Sequence, residues 1–238
     1  MGETGESPPV PVDGVTGLIE LGGADMDPSR RAVLGAAGLF SVALTMDLGH
    51  GPLSLRLADS ASAASPEAGP RMTAFLSGQQ AHAAARTGHR ATALTKIREA
   101  EIAMEKAESK AKAFGSYDPS SLAYHVAQVR YALGDKEAAI EALEESDRTR
   151  YSIYRRGRVR HLGLLAERKL EIGRLDEACA DWHRVLDDFP HVQSGRCDDR
   201  FRAMVAALRP YVKNTRAREV YDRARAIAAS PRPSSRDV

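Results

Sequence analysis

The chain has 238 residues, of which 28% are charged and only 5% are aromatic, and its formal net charge is +2. This length allows one or two domains, and two cysteines exclude a framework built on disulfides. The longest uncharged run, residues 32–46, has 15 residues. A membrane-spanning helix needs roughly 18–20 apolar residues, so we expect no stable membrane span. Frequent alanine favours helices, because alanine loses no side-chain entropy when a helix forms.

The N-terminal part of the chain differs in charge from the remainder. Residues 1–70 contain nine acidic and three basic residues, whereas the remainder contains 23 acidic and 31 basic residues. Glycine, proline and acidic residues dominate residues 1–28, so we expect a disordered acidic region there. We expect a second disordered segment, the tail at residues 231–238. The basic remainder could attract an acidic partner.

Residues 29–46 begin like a twin-arginine export signal, because Arg30 and Arg31 precede an apolar run. A signal also needs a positive leader and a nearby cleavage site. Here six acidic residues and no basic residue precede Arg30, and a small-x-small site at residues 61–63 lies far behind the apolar run. We therefore interpret residues 29–46 as a short apolar helix of a cytoplasmic protein. Export by the twin-arginine route is the alternative.

Residues 47–70 are interpreted as a linker, because residues 58–70 are rich in alanine, serine and proline. From residue 71 to residue 230 the chain changes to amphipathic stretches divided by turns at Gly88, Gly134 and Gly173. Glycine ends a helix at little cost in a left-handed conformation, and small residues let paired helices approach closely. We therefore predict stacked helix-turn-helix units. An alanine lies seven residues before and five residues after each glycine: Ala81, Ala93, Ala127, Ala139, Ala166 and Ala178.

These spacings resemble the tetratricopeptide repeat, a helix-turn-helix unit of about 34 residues. The third unit matches that pattern best, with Leu162, Leu165, Ala166, Gly173, Leu175, Ala178, Trp182 and Pro190. A fourth pair, Asp198–Arg209 and Thr215–Ala229, is joined across Pro210 and suits a terminal capping pair. The resemblance implies an all-α fold, in which residues 71–230 form a right-handed superhelix of about four helix pairs.

A second resemblance involves residues 113–135, "ACADWHRVLDDFP" and "SGRCDDRFRAMVAALRPY". These segments are similar to the C-terminal part of actinobacterial helix-turn-helix regulators that carry tetratricopeptide-like repeats. In such regulators a segment like "RRAVLG" follows the DNA-binding domain, which residues 1–28 cannot form. We therefore expect an orphan sensor half, a truncated product or an upstream start. The resemblance implies protein or peptide binding in bacterial transcriptional or signalling regulation, without direct nucleic-acid binding unless a separate DNA-binding domain is present.

The first helices of tetratricopeptide arrays line a groove that binds the partner. Tyrosine is a common recognition residue in such a groove because it is rigid and amphipathic. The alternative for Tyr124 and Tyr131 is that they pack against the next repeat. Carried onto this sequence, the groove positions are His82, Tyr124, Gln128, Tyr131, Arg160 and Glu167.

An arginine cluster lies between the second and third units. Guanidinium groups bind carboxylate or phosphate through two parallel hydrogen bonds, so we interpret the cluster as a contact for an acidic partner, either an acidic peptide or a nucleic acid. The alternative is a solvated surface, partly screened by the upstream acids Glu141, Glu144, Glu145 and Asp147. The cluster comprises Arg148, Arg150, Arg155, Arg156, Arg158 and Arg160.

The sequence contains no phosphate loop, nucleotide fingerprint or nucleophile elbow. We therefore expect a protein that is not an enzyme and needs no cofactor. Cys179 and His183 are four residues apart on one predicted helix, a spacing that could share a metal ion. Because Cys179 falls at an apolar repeat position, we expect a buried thiol there and no metal site.

Overall fold

A computed structural model describes residues 50–107, 117–150 and 155–229. The disordered region predicted for residues 1–28, the apolar helix predicted for residues 29–46 and the predicted tail lie outside the described residues. The described residues form helices and no strand, which confirms the all-α prediction. The helices are α1 (Gly51–Ala63), α2 (Pro70–Arg86), α3 (Arg90–Glu105), α4 (Pro119–Ala132), α5 (Lys136–Thr149), α6 (Arg155–Glu171), α7 (Leu175–Asp188), α8 (Gly195–Leu208) and α9 (Thr215–Ala229).

The chain divides into two compact units, with the boundary between Ala107 and Glu108. Helices α1 to α3 belong to the first unit and α4 to α9 to the second. This differs from the predicted organisation, in which residues 71–230 formed a single repeat domain. No helix in the described part of the chain combines the length and the apolar composition needed to cross a bilayer.

The predicted linker at residues 47–70 contains a helix, α1, and the prediction is wrong for that stretch. Leu57 and Ala58 of α1 are buried against Ala83 of α2. The Gln80 side chain of α2 donates a hydrogen bond of 2.7 Å to Asp59. The serines of α1 made a helix difficult to predict from the sequence. Ser54 fits within the helix because its hydroxyl donates to the His50 carbonyl oxygen at 3.0 Å.

The three predicted turn glycines end helices in the same way. Gly88, Gly134 and Gly173 have φ values of 82°, 87° and 83°, the left-handed conformation that only glycine adopts cheaply. The next amide in each turn donates to the carbonyl oxygen five residues earlier, as in Arg174 to Lys169 at 2.9 Å. This hydrogen bond is the one expected of a Schellman motif. The six predicted alanines are buried, at 0–2% exposure, which confirms that small residues occupy the helix crossings.

The second unit stacks three helix pairs, α4/α5, α6/α7 and α8/α9. Helix α5 packs on α6, α8 packs on α6, and α9 packs on α7. The core of this unit is centred on Trp182, which is fully buried together with Leu162 and Met204. With α2/α3 of the first unit, the described residues contain four helix pairs, as predicted. The fourth pair has the predicted position, and the short 3-10 helix Arg209–Tyr211 carries Pro210 between its two helices.

Helix α6 is tied to its neighbours by Lys169, a lysine with only 7% of its surface exposed. Its ammonium nitrogen lies 2.9 Å from Asp181 of α7 and 2.9 Å from Glu144 of α5. A buried charge is tolerated when it is paired in this way. The lysine therefore helps to fix the position of α6, which carries more of the candidate functional residues than any other described helix.

Candidate partner-binding face

Helices α4, α6 and α8 are the first helices of the three pairs in the second unit. Polar side chains of these helices make up one surface. Tyr124, Gln128 and Tyr131 follow one another at four and three residues, so they lie on one side of α4. Arg160 and Glu167 occupy one side of α6. We call this surface the first-helix face. The remaining predicted groove residue, His82, is a half-buried residue of α2 in the first unit.

Tyr124 joins α4 to α6. Its ring stacks on the ring of His161, with centroids 4.1 Å apart and planes inclined by 7°. Its hydroxyl oxygen accepts a hydrogen bond of 2.7 Å from the Gln128 side chain. Tyr124 therefore packs against the next repeat, while the tyrosine and Gln128 both stay partly exposed.

Tyr131 makes the second contact between α4 and α6. Its hydroxyl donates to Glu171 at 2.9 Å, and the Arg168 guanidinium lies over its ring, 3.3 Å from the centroid. Burial and the hydrogen bond to Glu171 raise the pKa of Tyr131. Burial would raise the pKa of Glu171, but the hydrogen bond from Tyr131 and the nearby Arg168 outweigh it, so that pKa is lowered. Tyr131 is thus held as a neutral donor beside a carboxylate.

Glu167 connects α6 to α8 through an ion pair of 2.6 Å with Arg200. The stem of Arg200 lies across Gly163, whose position would place a β-carbon 3.6 Å from the Arg200 β-carbon. Arg160, in contrast, is half-buried and has no carboxylate within ion-pair distance among the described residues. Four of the five predicted groove residues in this unit are therefore ordered by contacts between or along the first helices.

The arginines of the cluster have different surroundings in the structure. Arg148 pairs with Glu145 on the exposed side of α5. Arg155 and Arg158, at the start of α6, lie 3.9 and 3.4 Å from Asp188 at the end of α7. Arg156 is exposed, with no ion pair to any described residue.

The upstream acids screen part of the cluster, as predicted: Glu145 pairs with Arg148, Glu144 favours the charged form of Arg148, and Asp147 favours that of Arg150. Only Glu145 pairs with a cluster arginine; Glu144 pairs with Lys169, and Asp147 pairs with Arg184 at 2.6 Å. The main counter-charge is the buried carboxylate of Asp188, about thirty residues away along the chain. Sequence reasoning had no signal for this contact, because it depends on how α6 and α7 pack.

Arg150 has a different environment from the rest of the cluster. One of its terminal nitrogens donates to the Ser146 hydroxyl at 3.1 Å and lies 3.5 Å from the Ser120 carbonyl oxygen. Burial lowers the pKa of its guanidinium, although Asp118 and Asp147 oppose that effect. Arg150 therefore belongs to the protein interior more than to an open cationic surface.

Cysteine and metal chemistry do not define this face. Cys179 and Cys197 are free thiols, and both are buried, as predicted for Cys179. Burial raises the pKa of each thiol, so neither is an activated thiolate. In the described ranges, no group of three or more histidine, cysteine, aspartate or glutamate side chains could hold a metal ion.

Three residues of the face were missed in the sequence: His161, Glu171 and Arg200. His161 directly follows the predicted position Arg160, and Glu171 lies one helical turn after the predicted position Glu167, so including the neighbours of these positions would have found both. Arg200 lies on α8, for which the departure from the repeat pattern gave no register.

The chain matches no protein-family model and no curated protein. Among solved structures it is similar to a crystal structure of TPR-like repeats from a Podospora anserina protein described as a kinesin light chain with nearly identical repeats. The TM-score is 0.56 and the sequence identity is 16%, over 85% of this chain and 97% of the other. This similarity supports a tetratricopeptide-like helical repeat fold.

Proposed function

We propose that the protein is a non-enzymatic scaffold that binds a protein or peptide partner on the first-helix face, in bacterial transcriptional or signalling regulation. The observation that carries the proposal is the fixed arrangement of partly exposed polar and aromatic side chains on that face. Tyr124, Tyr131 and Glu167 are each held by a residue of the next first helix. Side chains that are already ordered lose less conformational entropy when a partner binds.

The partner is proposed to be acidic near the start of α6. Arg155 and Arg158 are partly neutralised by Asp188, but Arg156 is exposed and Arg160 has no carboxylate partner among the described residues. Charge complementarity of this kind increases the rate of association and makes the affinity dependent on salt. Regulation is supported by the sequence resemblance to actinobacterial regulators.

A peptide-selection experiment tests binding. A phage-displayed random peptide library is panned on the purified chain, and the affinity of enriched peptides is measured by fluorescence polarisation for the variants Tyr131→Ala and Glu141→Ala. Truncating a tyrosine at the centre of an interface costs more than about 1.4 kcal/mol, which is a tenfold loss of affinity. Glu141 is exposed on α5, a second helix, so its substitution is the matched control.

The expected result is a set of peptides, rich in acidic residues, that lose affinity with Tyr131→Ala and retain it with Glu141→Ala. Enriched peptides that bind both variants equally well would contradict the proposed face. For the acidic contact, Arg156→Gln is the cleaner substitution, because removing Arg158 would take away the nearer of the two arginines that pair with the buried Asp188. If neither Arg156→Gln nor added salt changes the affinity, the proposal that the partner is acidic is wrong.

A genetic experiment tests regulation. An allele with Tyr131→Ala at the native locus should change the same transcripts as a deletion of the gene, if partner binding is the regulatory event. Transcript levels that do not change in either strain would exclude the regulatory role while leaving the binding measurement unaffected.

A further inference from the structure

A cluster of cationic and unpartnered polar groups lies at the Tyr124 end of the first-helix face. Three helices contribute to it: Tyr124 comes from α4, Arg150 follows α5, and Arg160 and His161 come from α6. Tyr124 stacks on His161, Arg150 lies 3.5 Å from the carbonyl oxygen of Ser120, one turn before Tyr124, and Arg160 directly precedes His161 on α6. The cluster lies entirely within the second unit.

Two buried nitrogens in this cluster have no hydrogen-bond partner. They are Nδ1 of His161, a residue with only 9% of its surface exposed, and Nε of Arg150. A buried polar atom without a partner costs about 1–3 kcal/mol, so native proteins keep few of them. A bound group with more than one acceptor oxygen would supply what these two nitrogens lack.

The charge of the cluster is also unbalanced. Neither Arg150 nor Arg160 has a carboxylate within ion-pair distance in the described ranges, and the hydrogen bonds of Arg150 within these ranges go to neutral serine oxygens. Asp118 and Asp147 influence Arg150 from a distance, but Asp118 caps α4 by accepting from the Ser121 amide at 2.8 Å, and Asp147 pairs with Arg184 at 2.6 Å. Burial and the two arginines lower the pKa of His161 well below its ordinary value, so the imidazole is neutral at pH 7.

We propose that Arg150, Arg160 and His161 form an oxyanion site that holds an acidic group of the bound partner. This inference rests on the proposed function, because it assigns the chemistry of one anchor on the same face. The half-exposed Tyr124, Gln128 and Arg160 give access from solvent. A bound oxyanion would accept hydrogen bonds from the two guanidinium groups. It would accept another from His161 in the tautomer that carries its proton on Nδ1. Hydrogen bonds from charged donors are about twice as strong as those between neutral groups.

The test uses two small probes, inorganic phosphate and acetate, because a phosphorylated and a carboxylate side chain share this chemistry. Each is titrated into the full chain at pH 7 and at constant ionic strength set with chloride. NMR follows the ring signals of His161 and the Nε–H signal of Arg150. Arg160→Gln is the test variant. Arg148→Gln is the matched control, because Arg148 belongs to the same sequence cluster but is 70% exposed and pairs with Glu145.

The expected result is a saturable shift of both signals with at least one probe. Arg160→Gln should lower that affinity about tenfold, the loss of one charge-assisted hydrogen bond, whereas Arg148→Gln should change it less than about twofold. The probe that binds more tightly identifies the acidic group of the partner: phosphate indicates a phosphoryl group, and acetate indicates a carboxylate. No saturable shift with either probe, or equal losses in both variants, would overturn the site. Circular dichroism confirms that the variants stay helical.

The outcome is separate from that of the proposed function. If selected peptides bind the first-helix face but neither probe does, the binding function stands and the oxyanion site is wrong. If the probes bind and no peptide is selected, the oxyanion site stands as a small-anion site and the scaffold proposal fails.

Discussion

Ser120 and Ser146 donate hydrogen bonds to each other's backbone. The Ser120 hydroxyl donates to the Ser146 carbonyl oxygen at 2.9 Å, and the Ser146 hydroxyl donates to the Ser120 carbonyl oxygen at 2.8 Å. Both residues are buried, at 1% and 0% exposure. The first turn of α4 is thereby joined to the last turn of α5, next to the point where Arg150 contacts both serines.

Replacing Ser146 should therefore weaken the second unit. Ser146→Ala leaves the Ser120 carbonyl oxygen and an Arg150 donor without this partner, and we expect a loss of about 1–3 kcal/mol in the free energy of unfolding. Urea denaturation measures the change. Thr149→Ala is the control, because it removes an exposed hydroxyl that also donates to a backbone carbonyl oxygen of α5. If the two substitutions lower the free energy of unfolding equally, burial of the serine pair contributes nothing to stability.

The assigned repeat register makes a prediction about packing. Ala178 is fully buried at the crossing of α6 and α7, so Ala178→Leu should overpack the crossing and destabilise the unit by about 1–3 kcal/mol. Ala180, two residues further along α7, is exposed, and Ala180→Leu should change stability little. Thermal melting of both variants checks the prediction. An unchanged melting temperature for Ala178→Leu would contradict the register.

The register could be predicted from sequence because it depends on local chemistry. A helix that ends in a left-handed residue requires glycine, and a close crossing requires a small side chain, so Gly134, Gly173 and Ala178 are visible without any knowledge of the packing. Helix α1 was missed for the opposite reason. Its apolar stripe consists of few residues, and the partner that buries it, Ala83, lies more than twenty residues away.

Two glycines should respond to alanine with opposite signs. Gly163 lies inside α6, and a β-carbon there would make ordinary contacts with Arg200 at 3.6–3.8 Å. Gly163→Ala should therefore stabilise the protein by about 0.5–1 kcal/mol. Gly173 has a φ of 83°, so Gly173→Ala should destabilise it by about 1–2 kcal/mol. Chemical denaturation of the two variants in parallel is the measurement, and changes of the same sign would contradict the assigned conformations.

The candidate site was less predictable than the fold. Tyr124, Gln128 and Tyr131 follow from helical periodicity and the family's groove positions. The role of Asp188 does not, because an ion pair between α6 and α7 depends on the angle at which they pack. Arg150 has the same sequence context as Arg148, yet one is half-buried and the other exposed. The two environments differ because Arg150 follows the end of α5 and contacts Ser120, whereas Arg148 lies within the helix.

Buried histidines should make stability depend on pH. The Tyr117 hydroxyl and Nδ1 of His125 share a hydrogen bond of 2.7 Å, and burial lowers the pKa of His125 to about 4. An unfolded histidine has a pKa of about 6.5, so the unfolded state binds more protons between these values. The stability of the folded state is therefore full above pH 6.5 and is lost as pH falls towards 4. Between pH 6.5 and 4.5 the loss from His125 alone should be about 2–3 kcal/mol.

Urea denaturation at several pH values measures this effect. Comparison of the native chain with His125→Asn separates His125 from the carboxylates, which titrate in both proteins. The variant should have a shallower dependence on pH, whatever its stability at pH 7. His191→Asn, at an exposed histidine, is the control and should keep the slope of the native chain. Equal slopes for the native chain and His125→Asn would show that His125 does not titrate as inferred.

The location of the protein in the cell provides the last prediction. The small-x-small site at residues 61–63, which export would require for cleavage, lies within α1. Ala61 is buried there at 3% exposure, and cleavage behind Ala63 would remove a helix whose Leu57 and Ala58 pack against α2. We therefore expect that the native chain stays in the cytoplasm and that Arg30→Lys combined with Arg31→Lys leaves its location unchanged. Cell fractionation with N-terminal sequencing is the measurement. Native protein outside the membrane with a new N-terminus between residues 62 and 66, and its retention inside the cell after the double substitution, would instead establish export by the twin-arginine route.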